Sequence, residues 1–170
     1  MAWQFSGAYT ALVTPFTPEG QIDWRAFDHL VEKQLVANMD GIVLLGTTGE
    51  SPTIDEEEFK SVLCRARDLV GKSLVVIAGV SGNNTLSTMR QAKIAEIMGV
   101  DGILVTCPHY NKPSQQGLIL HYRAVAEAVK TPILLYNIKG RTGVNIEVET
   151  TLQLAKVPNI VGIKYKRSKQ

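Results

Sequence analysis

The chain has 170 residues, 45% of them hydrophobic and 20% charged, with a formal net charge of +2. This is the composition of a globular domain with a sizeable core. No apolar run approaches the ~20 residues a membrane helix needs. The opening "MAWQFSGAYTALV" lacks the basic region and small-residue cleavage site of a signal peptide, so a cytoplasmic location is expected. Lys166, Arg167 and Lys169 account for the positive balance, so charge gives no case for nucleic acid or a membrane surface as partner. Cys64 and Cys107 are expected to be two buried free thiols.

In chain order, the first apolar run is "YTALVTP" near Tyr9, followed by the amphipathic segment "WRAFDHLVEKQLV". "GIVLLG" from Gly41 reads as a buried strand. Asp55 with Glu58 then forms a capping box, and Gly71 falls where the helix after it should stop. "SLVVIAG" is the third strand, "LSTMRQAKIAEIM" the next helix, and Gly99 its stop. "GILVTC" is the fourth strand, with Ser114 as N-cap of the helix that follows. "PILLYN" and "NIVGIK" complete the series. The strands recur about every thirty residues, the length of a β–α–β unit. "NMDGIVLLG" and "MGVDGILVT" read as one unit used twice: helix end, Asp-Gly turn, buried strand.

This is an α/β chain with a parallel sheet. A doubly wound open sheet and a TIM (β/α)8 barrel both fit the strands. Polar residues at many strand ends favour the barrel, where they ring one mouth. Thr47, Thr48 and Glu50 follow the second strand, Tyr110 and Asn111 the fourth, and Tyr136, Asn137 and Arg141 the fifth, while Lys164 ends the sixth. A full barrel takes roughly 250 residues. The expectation is therefore an incomplete barrel of about six of eight β/α units.

In "NIVGIK", alternation places Ile160, Gly162 and Lys164 on one face and Val161 and Ile163 on the other. If the branched pair faces the helices, Lys164 points inward. A lysine in a low-dielectric interior loses preference for its charged form, and its free amine can form a Schiff base with a ketone. An isolated lysine at a strand end more often reaches for water. "GTTGES" brackets two hydroxyls with glycines and can hold a carboxylate through backbone N–H groups and threonines, or can be a plain turn. Tyr136 can pass protons, and Arg141 can take a carboxylate two-pronged; a packing tyrosine and a surface arginine are the bland alternatives. Tyr110 lies in a proline-stiffened loop where an aromatic often serves packing or an interface, and His109 beside it reads as structural. His29, His109 and His121 show no ligand spacing, so no metal is expected. "GVSGNNT" resembles a phosphate-holding turn without a P-loop lysine, a weak case for nucleotide.

The order of "LVTPF", "GTTGES", "IAGVSGNNT", "TCPHYNKPSQQG", "YNIKGRTG" and "IVGIK" resembles the dihydrodipicolinate synthase and N-acetylneuraminate lyase family of Schiff-base barrels, from about Gly7 to Lys164. "GTTGES" with "GRTG" looks like its synthase branch. The resemblance implies that Lys164 condenses with pyruvate and that Thr48 holds the pyruvate carboxylate. It implies that Tyr136, Thr47 and Tyr110 relay protons, Tyr110 reaching in from a neighbouring subunit, and that Arg141 binds the carboxylate of L-aspartate 4-semialdehyde. The product would be a hydroxy-tetrahydrodipicolinate on the route to diaminopimelate and lysine. No metal or organic cofactor is implied, and the family's oligomer is a dimer of dimers. The alternatives are a pyruvate-dependent aldolase or lyase of the same family acting on sialic acid or a keto-deoxy sugar acid, or an inactive truncated fragment.

Three positions depart from the family pattern. Lys139 stands where proline is usual, so the loop bearing Arg141 is expected to be less rigid. His109 stands where a second tyrosine is frequent, and Ser87 where lysine-inhibited members carry a glutamate. After Lys164 the sequence turns to "YKRSKQ". The expectation is that residues 1–164 are the N-terminal part of a barrel, that 165–170 are a basic tail, and that the whole is a truncated or frame-shifted reading. Its inner apolar face would then lie open to water, and Lys164 would keep its charge.

Overall fold

The computed structural model describes residues 5–166. Six strands form one sheet in the order β1-β2-β3-β4-β5-β6, every neighbouring pair parallel. They are β1 (Tyr9–Ala11), β2 (Gly41–Leu44), β3 (Val75–Val80), β4 (Gly102–Thr106), β5 (Ile133–Asn137) and β6 (Ile160–Tyr165). Sequential order with a helix between every two successive strands excludes the doubly wound alternative, whose order reverses at a switch point. The chain is an open, curled part of a (β/α)8 barrel.

The helices are α1 (Trp24–Val36), α2 (Glu56–Val70), α3 (Thr85–Ile97), α4 (Gln115–Ala128), the single turn α5 (Lys139–Thr142) and α6 (Val148–Leu154). Their starts follow the capping signals. Asp55 Oδ1 accepts from Glu58 N at 2.8 Å and Glu58 Oε2 accepts from Asp55 N at 3.0 Å, the reciprocal pair of a capping box. Ser114 Oγ accepts from Gly117 N. Gly71 and Gly99 end α2 and follow α3 at φ +52° and +72°, a region costly for a side chain.

The two Asp-Gly turns do the same work. Asp40 Oδ2 accepts from Ala8 N at 2.7 Å, and Asp101 Oδ2 accepts from Val76 N at 2.8 Å, so each carboxylate ties its own strand to an earlier one. Arg67 adds a clamp, donating to Gly71 O, Gly99 O and Asp101 Oδ2, each at 2.7 Å. Glu96 accepts from the N–H groups of Lys130 and Thr131 and from the Thr131 hydroxyl, and Asn159 donates to Ala126 O and Val129 O. These links fix the end of the barrel opposite the mouth.

The core has two layers. Between sheet and helices lie Ile42, Leu44, Val76, Ala78, Ile103, Val105, Ile133 and Leu135, packed on Phe27, Phe59, Leu63, Leu118 and Tyr122. Inside the curl, Val43, Ile77, Leu104, Tyr136 and Ile138 form a second cluster, joined by Tyr9, Ala11, Val75 and Leu134. Contrary to expectation, this inner face is not laid open: all five of its central residues are buried. Curling turns the inner side chains onto one another before the ring closes. Exposure falls on β6 instead, at Ile163 and Tyr165.

Two expectations about single residues are corrected. Ile160 does not share a face with Gly162 and Lys164. A register irregularity against Ile133 and Leu134 breaks the alternation, and Ile160 packs in the helix-side layer. Cys64 is a free thiol but an exposed one, on the outer side of α2, whereas Cys107 is buried as expected. Tyr165 belongs to β6, and Lys166 N donates to Asn137 O at 3.0 Å. Arg167 and Lys169 of the basic tail lie outside the described residues. No helix among the described residues is long and apolar enough to cross a membrane.

His121 on α4 is buried, its Nδ1 2.9 Å from the Thr85 hydroxyl and its Nε2 without a partner. Burial lowers its pKa from 6.5 to about 4. In the unfolded chain it takes a proton near pH 6.5, in the folded chain only near pH 4. Above pH 6.5 it therefore carries no protonation cost, and stability is lost progressively as pH falls from there to about 4, reaching about 3 kcal/mol. Urea unfolding at pH 7 and pH 5 should show a smaller acid loss for His121→Gln than for the unsubstituted chain; equal losses would contradict the assignment.

The outer edge of β6 carries unpaired N–H and C=O groups beside the exposed Ile163 and Tyr165. Residues 1–170 alone should therefore run above monomer size on gel filtration at micromolar concentration, and Ile163→Lys should shift them toward monomer. A monomeric unsubstituted chain would contradict this.

Candidate active site

The polar residues gather at the C-terminal ends of the strands. After β2 the chain must turn tightly beneath β3. Leu45 and Glu50 take positive φ, +54° and +56°. Gly46 O accepts from Gly49 N and Ser51 N, and the buried Thr14 hydroxyl donates to Gly49 O at 2.8 Å. A Cβ on Gly79 would collide with the Leu45 carbonyl and Gly46, so β3 needs glycine for this turn to lie against it.

Asn137, fully buried, anchors the segment after β5. Its Nδ2 donates to Asn145 Oδ1 at 2.8 Å, and its Oδ1 accepts from Ile146 N at 3.3 Å. Gln115 adds bonds to Asn145 O, Glu147 N and the Thr150 hydroxyl. Arg141 sits on α5, a helical turn closed by Gly143 at φ +74°, with the Thr142 hydroxyl bonded to the Ile138 and Val144 carbonyls. The expected looseness of a loop lacking proline is thus offset: Lys139 begins a hydrogen-bonded turn. Among the described residues Arg141 forms no ion pair, leaving its guanidinium available to an anion.

A cavity of about 340 Å³ opens at this mouth, lined by Thr47, Ser51, Ser81, Thr106, His109 and Arg141, with Pro52, Ile138 and Thr142. It holds hydroxyls, an imidazole and a guanidinium but no carboxylate, which suits an anionic, oxygen-rich ligand. A larger hollow of about 640 Å³ between α1 and α2, around Trp24, Cys64 and Arg65, lies outside the barrel, away from the strand ends.

Neither Lys164 nor Tyr136 is among the lining residues of that cavity; Tyr136 on β5 pairs with the lining residue Thr106 on one side and with Lys164 on β6 on the other. Lys164 Nζ lies 4.7 Å from the centre of the Tyr136 ring. The lysine residue as a whole is exposed, yet its amine end rests on the buried tyrosine, and partial burial together with the Lys166 charge lowers its pKa. The shift is in the direction that favours the free amine. Val161 and Ile163 border a hollow with Leu135, Thr151 and Ala155, the helix side, as the alternation requires.

The structure brings Thr47 and Arg141 to one cavity and Lys164 and Tyr136 into contact. Thr48 is exposed and outside the cavity lining. Tyr110 stands apart, 88% exposed at φ +69°, in a loop held by Asn111 Nδ2 donating to Asn83 O at 2.9 Å. His109, read as structural, lines the mouth. Thr106, Ser81 and Ser51 also went unnoticed in the sequence. Parity could have found Thr106, which shares the inner face with Leu104 and ends its strand. Among the described residues no cluster of three His, Cys, Asp or Glu side chains could hold a metal.

The chain is a parallel barrel arc with a lysine near the end of its sixth strand and an arginine free of ion pairs among the described residues at its mouth. The sequence profile of the dihydrodipicolinate synthetase family matches residues 4–168, and the chain belongs to that family. It is 51% identical over 160 residues to the 4-hydroxy-tetrahydrodipicolinate synthase of Syntrophus aciditrophicus, covering 94% of this chain and 55% of that one. Dihydrodipicolinate synthase from Aquifex aeolicus superposes with a TM-score of 0.93 at 42% identity, over 97% of this chain and 56% of that one. The Acinetobacter baumannii enzyme, solved with pyruvate, gives 0.92 at 42% identity, over 94% and 55%. The chain spans about half the length of the curated relatives it matches.

Proposed function

We propose that this chain carries the Schiff-base half of a pyruvate–aldehyde condensation, with L-aspartate 4-semialdehyde as second substrate and 4-hydroxy-tetrahydrodipicolinate as product. The observation that carries the reading is the Lys164 amine resting on Tyr136 with its pKa lowered, in one sheet row with Thr106, which lines a cavity together with Arg141. A lowered pKa raises the fraction of free amine at neutral pH, and only the free amine attacks a ketone. The amine lies over the Tyr136 ring, and in this reading the Tyr136 hydroxyl passes protons as the carbinolamine loses water. Arg141 takes the carboxylate of the incoming aldehyde by paired, charge-assisted bonds.

Thr47 lines the same cavity and can complete a proton relay with Tyr136. Thr48, exposed in the unliganded turn, holds the pyruvate carboxylate through its backbone N–H and hydroxyl once the ligand is in place. Tyr110, projecting from the molecule, serves the site of a neighbouring subunit in a homo-oligomer arranged as a dimer of dimers. The enzyme works in the cytoplasm and needs no cofactor, because the lysine imine is the electron sink. In domain terms, the chain is the N-terminal part of a barrel through β6, whose last residue is Tyr165, followed by a short basic tail.

Pyruvate with cyanoborohydride should add one pyruvyl-derived mass to the peptide bearing Lys164, and Lys164→Ala should abolish it. Labelling at Lys139 or Lys112 instead would sink the assignment. Arg141→Ala should raise the aspartate semialdehyde concentration needed to convert the Lys164 adduct by roughly 10- to 100-fold, the worth of a charge-assisted contact. Equal damage to imine formation and to aldehyde capture would make Arg141 structural.

A further inference from the structure

Thr106 ends β4 and is 7% exposed. Its hydroxyl oxygen is buried and has no hydrogen-bond partner. A buried unpaired hydroxyl costs stability and is uncommon in a settled core. Its neighbour on the same inner face, Leu104, is packed in the inner cluster, whereas Thr106 opens on the mouth cavity with Ser81 and His109.

The sheet register places this hydroxyl relative to the reactive amine. Thr106 pairs with Tyr136, and Tyr136 pairs with Lys164, so the three stand in one row across β4, β5 and β6. Adjacent strands are about 4.8 Å apart, so Thr106 and Lys164 are separated by roughly two spacings. The lysine end lies over the Tyr136 ring and covers much of that gap. The same row thus carries the reactive amine at one end and, at the other, Thr106, which shares its cavity with Arg141.

We propose that Thr106 is a catalytic, specificity-determining residue whose hydroxyl donates a hydrogen bond to the carbonyl oxygen of the second substrate. The inference rests on the Schiff-base reading of Lys164. In the bond-forming step the enamine C=C pair makes the new C–C bond, and the nitrogen lone pair restores the iminium. The aldehyde C=O pair moves onto its oxygen, which takes a proton from water at the open mouth. Negative charge grows on that oxygen during the step, so a donor already aimed at it strengthens as the reaction proceeds. The unpaired state of the hydroxyl in the free protein is the cost of holding the donor ready. A semialdehyde carboxylate offers a carbonyl to this donor and a carboxylate to Arg141, which lines the same cavity, whereas a chain lacking the carbonyl leaves Thr106 unpaired.

The test uses the chain with pyruvate, succinate semialdehyde and cyanoborohydride. Succinate semialdehyde lacks the amine that would let the product cyclise, so its adduct stays on Lys164. Mass spectrometry of the Lys164 peptide then reads the ratio of aldol adduct to pyruvyl adduct. Thr106→Val should lower this ratio about tenfold, the worth of one hydrogen bond to a developing charge. Thr106→Ser should restore it to within about threefold. The urea midpoint of Thr106→Val should be no lower than that of the unsubstituted chain, because an unpaired hydroxyl is exchanged for a methyl. Thr106→Ala repeats the measurement without the added methyl. An unchanged ratio in the valine and alanine variants overturns the proposal. So does a fall in ratio accompanied by loss of stability and no rescue by serine, which makes Thr106 a packing residue. Absence of any pyruvyl adduct at Lys164 in the unsubstituted chain removes the Schiff-base reading, and the proposal with it.

Discussion

The functional reading depends on one pairing, Tyr136 on β5 with Lys164 on β6. A parallel ladder fixes which residues stand side by side, and a slip of one residue sends every side chain of the strand to the opposite face. At the observed register, Lys164 faces inward and its amine meets an aromatic face. One residue away, the positions facing inward would be Ile163 and Tyr165, and the chain would have no reactive amine at its mouth. At Gly162 a Cβ would stand 2.9 Å from Leu134 Cδ2, so a side chain there would require the leucine end on β5 to shift.

Around that pairing, the fold separates support from chemistry. The closed end of the strands is tied by Asp40, Asp101, Arg67, Glu96 and Asn159, side chains that bind backbone of other strands and helices. The mouth is built from turns held by backbone and by buried amides such as Asn137, leaving Arg141 and the Thr106 hydroxyl unengaged. This is the division expected of a barrel, in which conserving strand geometry at one end leaves the loops at the other free to carry reaction.

Much of this was legible in the sequence because the physics is local. Capping at Asp55 and Ser114, helix stops at Gly71 and Gly99, and the buried strands all follow from near neighbours in the chain. The repeated Asp-Gly unit could be seen, but the hydrogen bonds of Asp40 and Asp101 to other strands could not. Lys164 and Arg141 stood out because charge at a strand end or between glycines needs a reason. The misses share a cause. Ile160 changed face because a bulge is set by the neighbouring strand. Cys64 was misjudged because an α2 position is buried or exposed according to how the helix docks. Thr106 and His109 were passed over because a hydroxyl within an apolar run, or a lone imidazole, acquires meaning only from the side chains that other strands bring to it.

The central claim is that the barrel's register makes the Lys164 amine chemically distinct from the other lysines. A pH titration followed by NMR, observing the ε-methylene signals of the lysines with Lys164 assigned by its replacement with arginine, measures this directly. The account predicts that Lys164 loses its proton below the ordinary lysine value, because its amine is partly buried and repelled by Lys166. A Lys164 that titrates at the ordinary lysine value would contradict the account.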